Sequence, residues 1–159
     1  GDDIITDLDG ADILKGGPGN DAIDGGPGDD TLRGGMGADT EDGGGGNDTF
    51  NEDTAINGTD TITGGLGLDV VSYANRTTAV SVTLDGQAND GEQSENDAVS
   101  SDVEGAAGGA GADTLVGNAE MNTLSGGGGD DTIDGGDGTL GRTFMNLAAM
   151  GDGNVLGEF

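Results

Sequence analysis

Residues 16–51 have the sequence GGPGNDAID, GGPGDDTLR, GGMGADTED and GGGGNDTFN, four consecutive nine-residue units with the frame Gly-Gly-x-Gly-x-Asp. The aspartate at the sixth position recurs at the same spacing from the first residues of the chain. A repeat of fixed length indicates one structural unit stacked on itself, with neighbouring units burying a shared core. These residues therefore predict a solenoid, and so acidic and glycine-rich a unit needs a cation to stack.

The eighth position of the unit predicts how each repeat contributes to the core. Its residues are Ile5, Leu14, Ile23, Leu32, Glu41 and Phe50. Side chains alternate between the two faces of a short strand, so this position points inward and its neighbours point outward. Glu41 interrupts the apolar series and leaves two outcomes open: either the core loosens at this unit, or the carboxylate turns outward.

The phase of the repeat slips once and is then lost. Three extra residues between Glu52 and Thr59 precede the next sixth positions, Asp60 and Asp69. Residues 73–104 leave the repeat, and the alternation of apolar residues in 79–86 predicts a strand. We expect this strand to form a hairpin with residues 70–74.

The pattern predicts four segments: a first repeat block at 1–72, a strand and loop insertion at 73–104, a second repeat block at 105–139 and a tail at 140–159. The second block has Asp113, Asn122 and Asp131 at its sixth positions. Because Gly1 stands at repeat position four, we expect the chain to be part of a longer array. The apolar tail is expected to cap the open end of the solenoid, since solenoid ends need covering, or to belong to an export signal.

Composition makes folding without a ligand unfavourable. The chain has 32 acidic and 4 basic residues, a net charge of -28, 37 glycines, 31% hydrophobic residues and 3% aromatic residues. Such a chain has too little apolar surface to offset its conformational entropy. A divalent cation would both neutralise and cross-link the carboxylates.

The same composition excludes several functions. Four basic residues cannot build a nucleic-acid surface. The absence of histidine and cysteine excludes disulfides, zinc sites of the usual kind and Ser-His-Asp triads. No apolar run approaches the ~18 residues of a membrane span. Neighbouring carboxylates are better explained as metal ligands and solvated turn faces than as a glycosidase pair, so we expect no enzyme activity.

The units resemble the Ca²⁺-binding nonapeptides of the RTX family, on the four contiguous Gly-Gly-x-Gly-x-Asp frames above. The resemblance implies an all-β fold, a parallel β-roll in which two units form one coil and several Ca²⁺ ions lie between stacked turns. Ca²⁺ takes six to eight oxygen ligands, and this repeat offers only oxygen. The glycines let the backbone turn tightly and direct carbonyl groups toward a common point.

The candidate side-chain ligands are the sixth-position residues Asp3, Asp12, Asp21, Asp30, Asp39, Asp48, Asp60, Asp69, Asp113, Asn122 and Asp131. The resemblance implies backbone ligands at Gly17, Gly19, Gly26, Gly28, Gly35, Gly37, Gly44 and Gly46. Stacking should place Asp3, Asp21 and Asp39 along one edge and Asp12, Asp30 and Asp48 along the other. Asn122 has two interpretations, a neutral ligand or a turn residue that binds no metal.

Three functional hypotheses follow. The resemblance implies a bacterial module that is secreted or displayed at the cell surface, uses type I secretion machinery and folds on Ca²⁺ outside the cell. The second hypothesis is a Ca²⁺-dependent structural segment of an adhesin, surface layer or filament, with self-association through exposed strand ends. The third is the non-catalytic C-terminal part of a secreted hydrolase.

Overall fold

The computed structural model describes residues 1–7 and 9–136, together with the backbone of two short strands further on. This part of the chain contains strands and turns but no helix. The strands are β1 (Ile4–Thr6), β2 (Ile13–Pro18), β3 (Ala22–Asp24), β4 (Thr31–Met36), β5 (Thr40–Asp42), β6 (Thr49–Asn51), β7 (Thr61–Thr63), β8 (Val70–Ser72), β9 (Val80–Thr83), β10 (Ala88–Glu92), β11 (Asp97–Val99), β12 (Gly105–Ala107), β13 (Thr114–Val116), β14 (Thr123–Ser125), β15 (Thr132–Asp134), β16 (Phe144–Met145) and β17 (Val155–Leu156).

Successive strands alternate between two sheets that face each other across the core, except that β9, β10 and β11 all lie in one sheet. The ten-stranded sheet has the order β1-β3-β5-β7-β11-β10-β9-β13-β15-β17, and the seven-stranded sheet has the order β16-β14-β12-β8-β6-β4-β2. Within the repeats the pairing is parallel, and equivalent residues of adjacent coils align, as Ile5 does with Ile23. The predicted all-β parallel β-roll is thereby confirmed.

The core consists of the inward-facing side chains of both sheets. At the eighth position Ile23, Leu32 and Phe50 are buried, whereas Ile4 and Ile13, at the seventh position of the first coil, are 86% and 71% exposed. The period of two along each strand produces this contrast. The prediction that the eighth position points inward is confirmed for these apolar residues.

Glu41 also points inward, so the second of the two outcomes left open for it, a carboxylate that turns outward, is wrong. It is only 1% exposed and aligns with Ile23 on one side and Ile62 on the other. Parallel pairing with both neighbours fixes the register, and a flip of this strand would bring its polar flanks into the core. The pKa of the Glu41 carboxyl is raised to about 8. Burial is the largest cause, and the negative charges of nearby carboxylates raise it further.

The predicted hairpin between residues 70–74 and 79–86 is also wrong. β8 pairs in parallel with β6 and β12 in the seven-stranded sheet, whereas β9 lies in the ten-stranded sheet. The antiparallel pairs are instead β9 with β10 and β10 with β11. Continuing the parallel ladder gives β8 a partner on each side, which a local hairpin would not.

The solenoid continues through the inserted strands. β11 pairs in parallel with β7, and β9 pairs in parallel with β13, so the two repeat blocks join a common sheet. The division into four segments stays a prediction. The tail predicted as a cap or export signal lies outside the described residues, except for the backbone of β16 and β17, which extend the two sheets. Within residues 1–7 and 9–136, no helix has the length and apolar character needed to cross a membrane.

Candidate metal sites

Glycine-rich turns stack along two edges of the solenoid. Along what we call the first edge, turns lead from the ten-stranded to the seven-stranded sheet and carry Asp12, Asp30, Asp48 and Asp69. Along the second edge, turns lead back and carry Asp21, Asp39 and Asp60. Backbone hydrogen bonds join neighbouring turns, as when the Gly28 N–H donates to the Gly45 carbonyl at 2.7 Å.

Close stacking explains why the fourth position of the frame is glycine. Gly46 has a φ of +141°, and a Cβ at this position would overlap the carbonyl oxygen of Gly28 in the preceding coil. A side chain is therefore excluded both by the backbone conformation and by the neighbouring turn. The close approach of neighbouring turns therefore explains why the frame requires glycine at this position.

The sixth-position aspartates form a ladder along each edge. On the second edge, Asp21 Oδ1 accepts the Asp3 N–H at 2.7 Å, and Asp39 Oδ1 accepts the Asp21 N–H at 2.7 Å. On the first edge, Asp30 and Asp48 accept the N–H groups of Asp12 and Asp30, both at 2.8 Å. Partners are 18 residues apart, which is the stacking that the sequence predicts.

The three-residue slip does not break either ladder. Asp60 accepts the Asp39 N–H and Asp69 accepts the Asp48 N–H, each at 2.8 Å and at a separation of 21 residues. The extra residues are accommodated in the loop before Asp60, so the aspartates after the slip remain in line with those before it.

Sequence reasoning missed two residues that extend the ladders. Asp97 Oδ1 accepts the Asp60 N–H at 2.9 Å on the second edge, and Glu104 Oε2 accepts the Asp69 N–H at 2.9 Å on the first. Neither follows a Gly-Gly-x-Gly frame. The available signal was their position, because Asp97 begins β11 and Glu104 directly precedes β12.

In five of the repeat carboxylates, the second oxygen has no hydrogen-bond partner. Asp Oδ2 is buried without a hydrogen bond at five positions of the described chain: Asp21, Asp30, Asp39, Asp48 and Asp69. A buried carboxylate oxygen without a donor is costly, and several are arranged here at equivalent places. A bound cation would remove this cost.

The surroundings of these oxygens supply further oxygen. A Cβ added at Gly25 would lie 2.8 Å from Asp30 Oδ2 and 2.7 Å from the carbonyl oxygen of Gly43 in the next coil. A Cβ at Gly43 would likewise meet Asp48 Oδ2 and lie 2.7 Å from the Gly64 carbonyl oxygen. The first glycine of the frame therefore keeps open a small space that a carboxylate and a carbonyl oxygen both border.

Electrostatics at the edges also favours a cation. Burial raises the pKa of Asp48 to about 6, with further contributions from the charges of Asp69 and Asp30. Burial likewise raises the pKa of Asp39, where Asp21 adds to the shift, and of Asp69, where Glu104 adds to it. A positive ion between the turns would stabilise the ionised carboxylates that these surroundings disfavour.

The donor set fits Ca²⁺, which prefers carboxylate and carbonyl oxygens. No three acidic side chains of the described residues converge as a ready-made metal cluster, so backbone oxygens would complete each site. Among the predicted backbone ligands, Gly26 and Gly44 accept N–H groups from the next turn at 2.9 and 2.8 Å. The first-glycine carbonyls of Gly43 and Gly64, which sequence reasoning did not single out, border the carboxylate space. The individual ligand assignments stay predictions.

The second block repeats the ladder with different partners. Asp113 Oδ1 accepts the Val80 N–H at 2.9 Å, and Asp131 Oδ1 accepts the Asp113 N–H at 2.9 Å. Asn122 Oδ1 accepts the Asn118 N–H at 2.9 Å, and its Nδ2 donates to Asn118 Oδ1 at 3.1 Å. Both interpretations of Asn122 remain open.

Comparison with known protein families also identifies calcium-binding repeats in this chain. The family model of the RTX calcium-binding nonapeptide repeat matches in four copies, at residues 1–32, 16–50, 55–72 and 107–139. No curated protein matches the chain. The matched units contain the stacked turns and the carboxylate ladders described above. With its nonapeptide frame, parallel β-roll and oxygen-lined edges, the chain belongs to the RTX family of calcium-binding repeat proteins.

Proposed function

We propose that this Ca²⁺-binding repeat module folds when it meets Ca²⁺ outside the cell and so supports the secretion and stability of a larger bacterial protein. The observation that carries the proposal is the set of five buried Asp Oδ2 atoms without a hydrogen bond. A folded state that buries these atoms is strongly favoured by a cation between the turns. Sixth-position carboxylates on both edges would hold the ions, with carbonyl oxygens of the glycine-rich turns.

Ligand linkage converts this requirement into a switch. Binding to the folded state alone stabilises it by RT ln(1 + [L]/Kd) for each independent site. Extracellular Ca²⁺ modules have Kd values on the order of 10⁻⁴–10⁻³ M, so cytosolic Ca²⁺ contributes almost nothing. In a chain with net charge -28, the repeats that depend on Ca²⁺ would then stay expanded until export. The resulting partners are Ca²⁺ and type I secretion machinery.

A second candidate is a Ca²⁺-dependent structural segment that assembles end to end in an adhesin, surface layer or filament. It is favoured by exposed apolar side chains on β1 and β2, where Ile4 and Ile13 are 86% and 71% exposed. Exposed apolar side chains of this kind can contribute to contacts with another chain.

A Ca²⁺ titration followed by far-UV circular dichroism tests the proposal, with Mg²⁺ as the control ion. We expect a cooperative gain of β signal with Ca²⁺ and little change with Mg²⁺ at the same concentration. Replacing Asp21 and Asp30 with alanine should raise the Ca²⁺ midpoint several-fold. The matched control Asp9→Ala/Asp130→Ala removes the same charge from exposed positions outside the ladders and should leave the midpoint nearly unchanged.

Two results would argue against the folding switch. A chain fully folded in EDTA would show that packing alone holds the coils together. Equal Ca²⁺ midpoints for the two double variants would show that the carboxylate ladders do not bind the Ca²⁺ that drives folding. Light scattering in the same titration separates the candidates, because a Ca²⁺-dependent rise in mass would favour end-to-end assembly over a monomeric module.

A further inference from the structure

We propose that the calcium requirement is unevenly distributed: residues 73–134, here called the interrupted segment, fold without Ca²⁺ and serve as the template on which residues 1–72 fold when Ca²⁺ binds. This inference rests on the proposed function. It begins from the position of the buried carboxylate oxygens without a partner, which among the described residues all lie between Asp21 and Asp69. Within the interrupted segment, protein groups donate to the corresponding oxygens of Asp97 and Asp113.

On the second edge, the change is visible coil by coil. Asp21 and Asp39 each have an Oδ2 without a partner. Asp60 Oδ2 accepts a hydrogen bond from Asn57 Nδ2 at 3.1 Å, and Asp97 Oδ2 accepts one from the Tyr73 hydroxyl at 2.8 Å. Asp113 Oδ2 then accepts the Gly109 N–H at 2.7 Å. The demand for a cation therefore declines along this edge.

The first edge shows the same change at a single residue. Asp30, Asp48 and Asp69 each present an oxygen without a donor. At the equivalent place in the second block, Asn122 carries an NH₂ group, which donates to Asn118 Oδ1 at 3.1 Å. The amide NH₂ of Asn122 thus stands where a carboxylate would place an oxygen that needs a donor or a cation.

Arg76 supplies a full positive charge inside the interrupted segment. Its guanidinium is fully buried and pairs with Glu95 at 2.7 Å and with Glu92 at 3.0 Å. It also donates to Asn57 Oδ1 at 2.9 Å and to the Asp53 carbonyl. This buried side chain neutralises carboxylates where the repeat is absent, as a metal ion would do elsewhere in the fold.

The contacts of Arg76 also join three parts of the chain. The guanidinium reaches Asp53 and Asn57 in the loop before β7, and Glu95 in the turn before β11. Its own carbonyl oxygen accepts the Ala110 N–H of the second block at 2.8 Å. The network therefore holds the inserted strands to both flanking repeats by protein groups alone.

The apolar core is richest in the same region. The buried hydrophobic residues of the interrupted segment are Tyr73, Val80, Val82, Leu84, Val99, Val103, Ala106, Leu115, Leu124 and Ile133, against Ile23, Leu32, Phe50, Ile62 and Val71 in residues 1–72. Burial of apolar side chains stabilises a fold without any ligand. The interrupted segment thus combines more apolar burial with partnered carboxylates.

A template of this kind presents ready edges to the N-terminal coils. β11 offers its backbone to β7, and β12 offers its backbone to β8. Each further coil pairs with the one already formed, since solenoid repeats contact chiefly their neighbours. Ca²⁺ would then stabilise the coils of residues 1–72, where the unpartnered oxygens lie.

Hydrogen exchange of the whole chain, measured by mass spectrometry in EDTA and in millimolar Ca²⁺, tests the inference. In EDTA we expect β9, β11, β13 and β14 to keep at least tenfold slower exchange than β2, β4 and β6. Saturating Ca²⁺ should then protect the N-terminal strands as well. Local protection reports the free energy of opening each segment, which makes this distribution directly measurable.

Three outcomes in EDTA would overturn the inference. Uniformly fast exchange would show that the interrupted segment also requires Ca²⁺, while the proposed Ca²⁺-driven folding would stand. Protection of every strand in EDTA would overturn both the inference and the folding switch. Slower exchange in the N-terminal strands than in β9 to β14 would contradict the direction of the template.

Variants test whether the named donors are responsible. Tyr73→Phe removes only the hydroxyl that serves Asp97, and we expect about tenfold less protection of β11 in EDTA, as for loss of one hydrogen bond to a charged group. Arg76→Met should abolish EDTA protection throughout the interrupted segment. The control Arg33→Met removes a half-exposed guanidinium that pairs with Asp53 and should leave this protection unchanged. Unchanged protection in Tyr73→Phe and Arg76→Met would refute the role assigned to these groups.

Discussion

At the scale of single residues, Glu41 shows how a repeat tolerates a chemically unsuitable member. Its side chain occupies an inward position between Ile23 and Ile62, and its Oε1 has no hydrogen-bond partner. The strands on either side hold the backbone in register, so the carboxyl group is carried into the core with it. The cost is desolvation, which is reflected in the pKa raised to about 8.

Glu41→Leu should therefore stabilise the solenoid. We expect an increase in the free energy of unfolding of about 1–3 kcal/mol, because a buried polar group without a partner is replaced by an apolar one. Urea unfolding at fixed Ca²⁺ measures the change. Glu120→Leu, the same substitution at an exposed site, is the control and should change the free energy by less than about 0.5 kcal/mol. An equal effect in both variants would contradict this account.

At the scale of elements, the glycine-rich turn is the feature that permits stacking. The glycine at its first position leaves space beside the aspartate Oδ2, and the glycine at its fourth position lies against the carbonyl of the preceding turn. The third position is different, because a Cβ at Gly45 would meet no atom within 4 Å. This difference matches the variety of residues that the sequence places at the third position, including Pro27, Met36 and Leu66.

Two neighbouring alanine substitutions in one turn test this explanation. Gly46→Ala should lower the free energy of unfolding by more than about 2 kcal/mol, since the positive φ alone costs about 1–2 kcal/mol and the Gly28 carbonyl must also move. Gly45→Ala should change it by less than about 0.5 kcal/mol. Thermal or urea unfolding in saturating Ca²⁺ provides the comparison. Similar losses for the two variants would mean that turn spacing is not the constraint.

At the scale of the whole molecule, buried carboxylates bind protons in the folded state, and those of the ladders would also bind Ca²⁺. Burial raises the pKa of Asp90 to about 7, and it raises the pKa of Glu52 well above its ordinary value. The folded state therefore binds more protons than the unfolded state between the ordinary carboxyl pKa and these raised values. Without Ca²⁺, stability is fully present below the ordinary pKa and is lost as the pH rises through about 7.

Because proton binding favours the folded state, acid should have opposite effects on folding in EDTA and in the Ca²⁺ titration. In EDTA, the urea midpoint should be higher at pH 5 than at pH 8, and lower repulsion within a chain of net charge -28 acts in the same direction. In the Ca²⁺ titration, the midpoint concentration should instead rise as the pH falls, because protons compete with the ion. Circular dichroism at both pH values measures each effect. An EDTA stability that increases with pH would contradict the predicted sign.

The sequence by itself determined the parallel β-roll, the inward eighth position and the alignment of Asp3, Asp21 and Asp39 along one edge. These predictions succeed because each coil contacts mainly its neighbours, so a period in the sequence becomes a period in space. The period alone did not establish that the ladders continue across the slip. Their continuity also required the loop before Asp60 to accommodate three extra residues.

Only the tertiary structure decided the course of the chain through residues 73–104. It brought Asp97 and Glu104 onto the two ladders, buried Arg76 among carboxylates and carried Glu41 inward. Glu41 follows the period of the eighth position, but no period in the sequence indicates the placements of Asp97, Glu104 and Arg76. Each depends on contacts between distant segments, such as β11 with β7 and Arg76 with Glu95, where pairing and burial outweigh the local preference of a charged side chain for water.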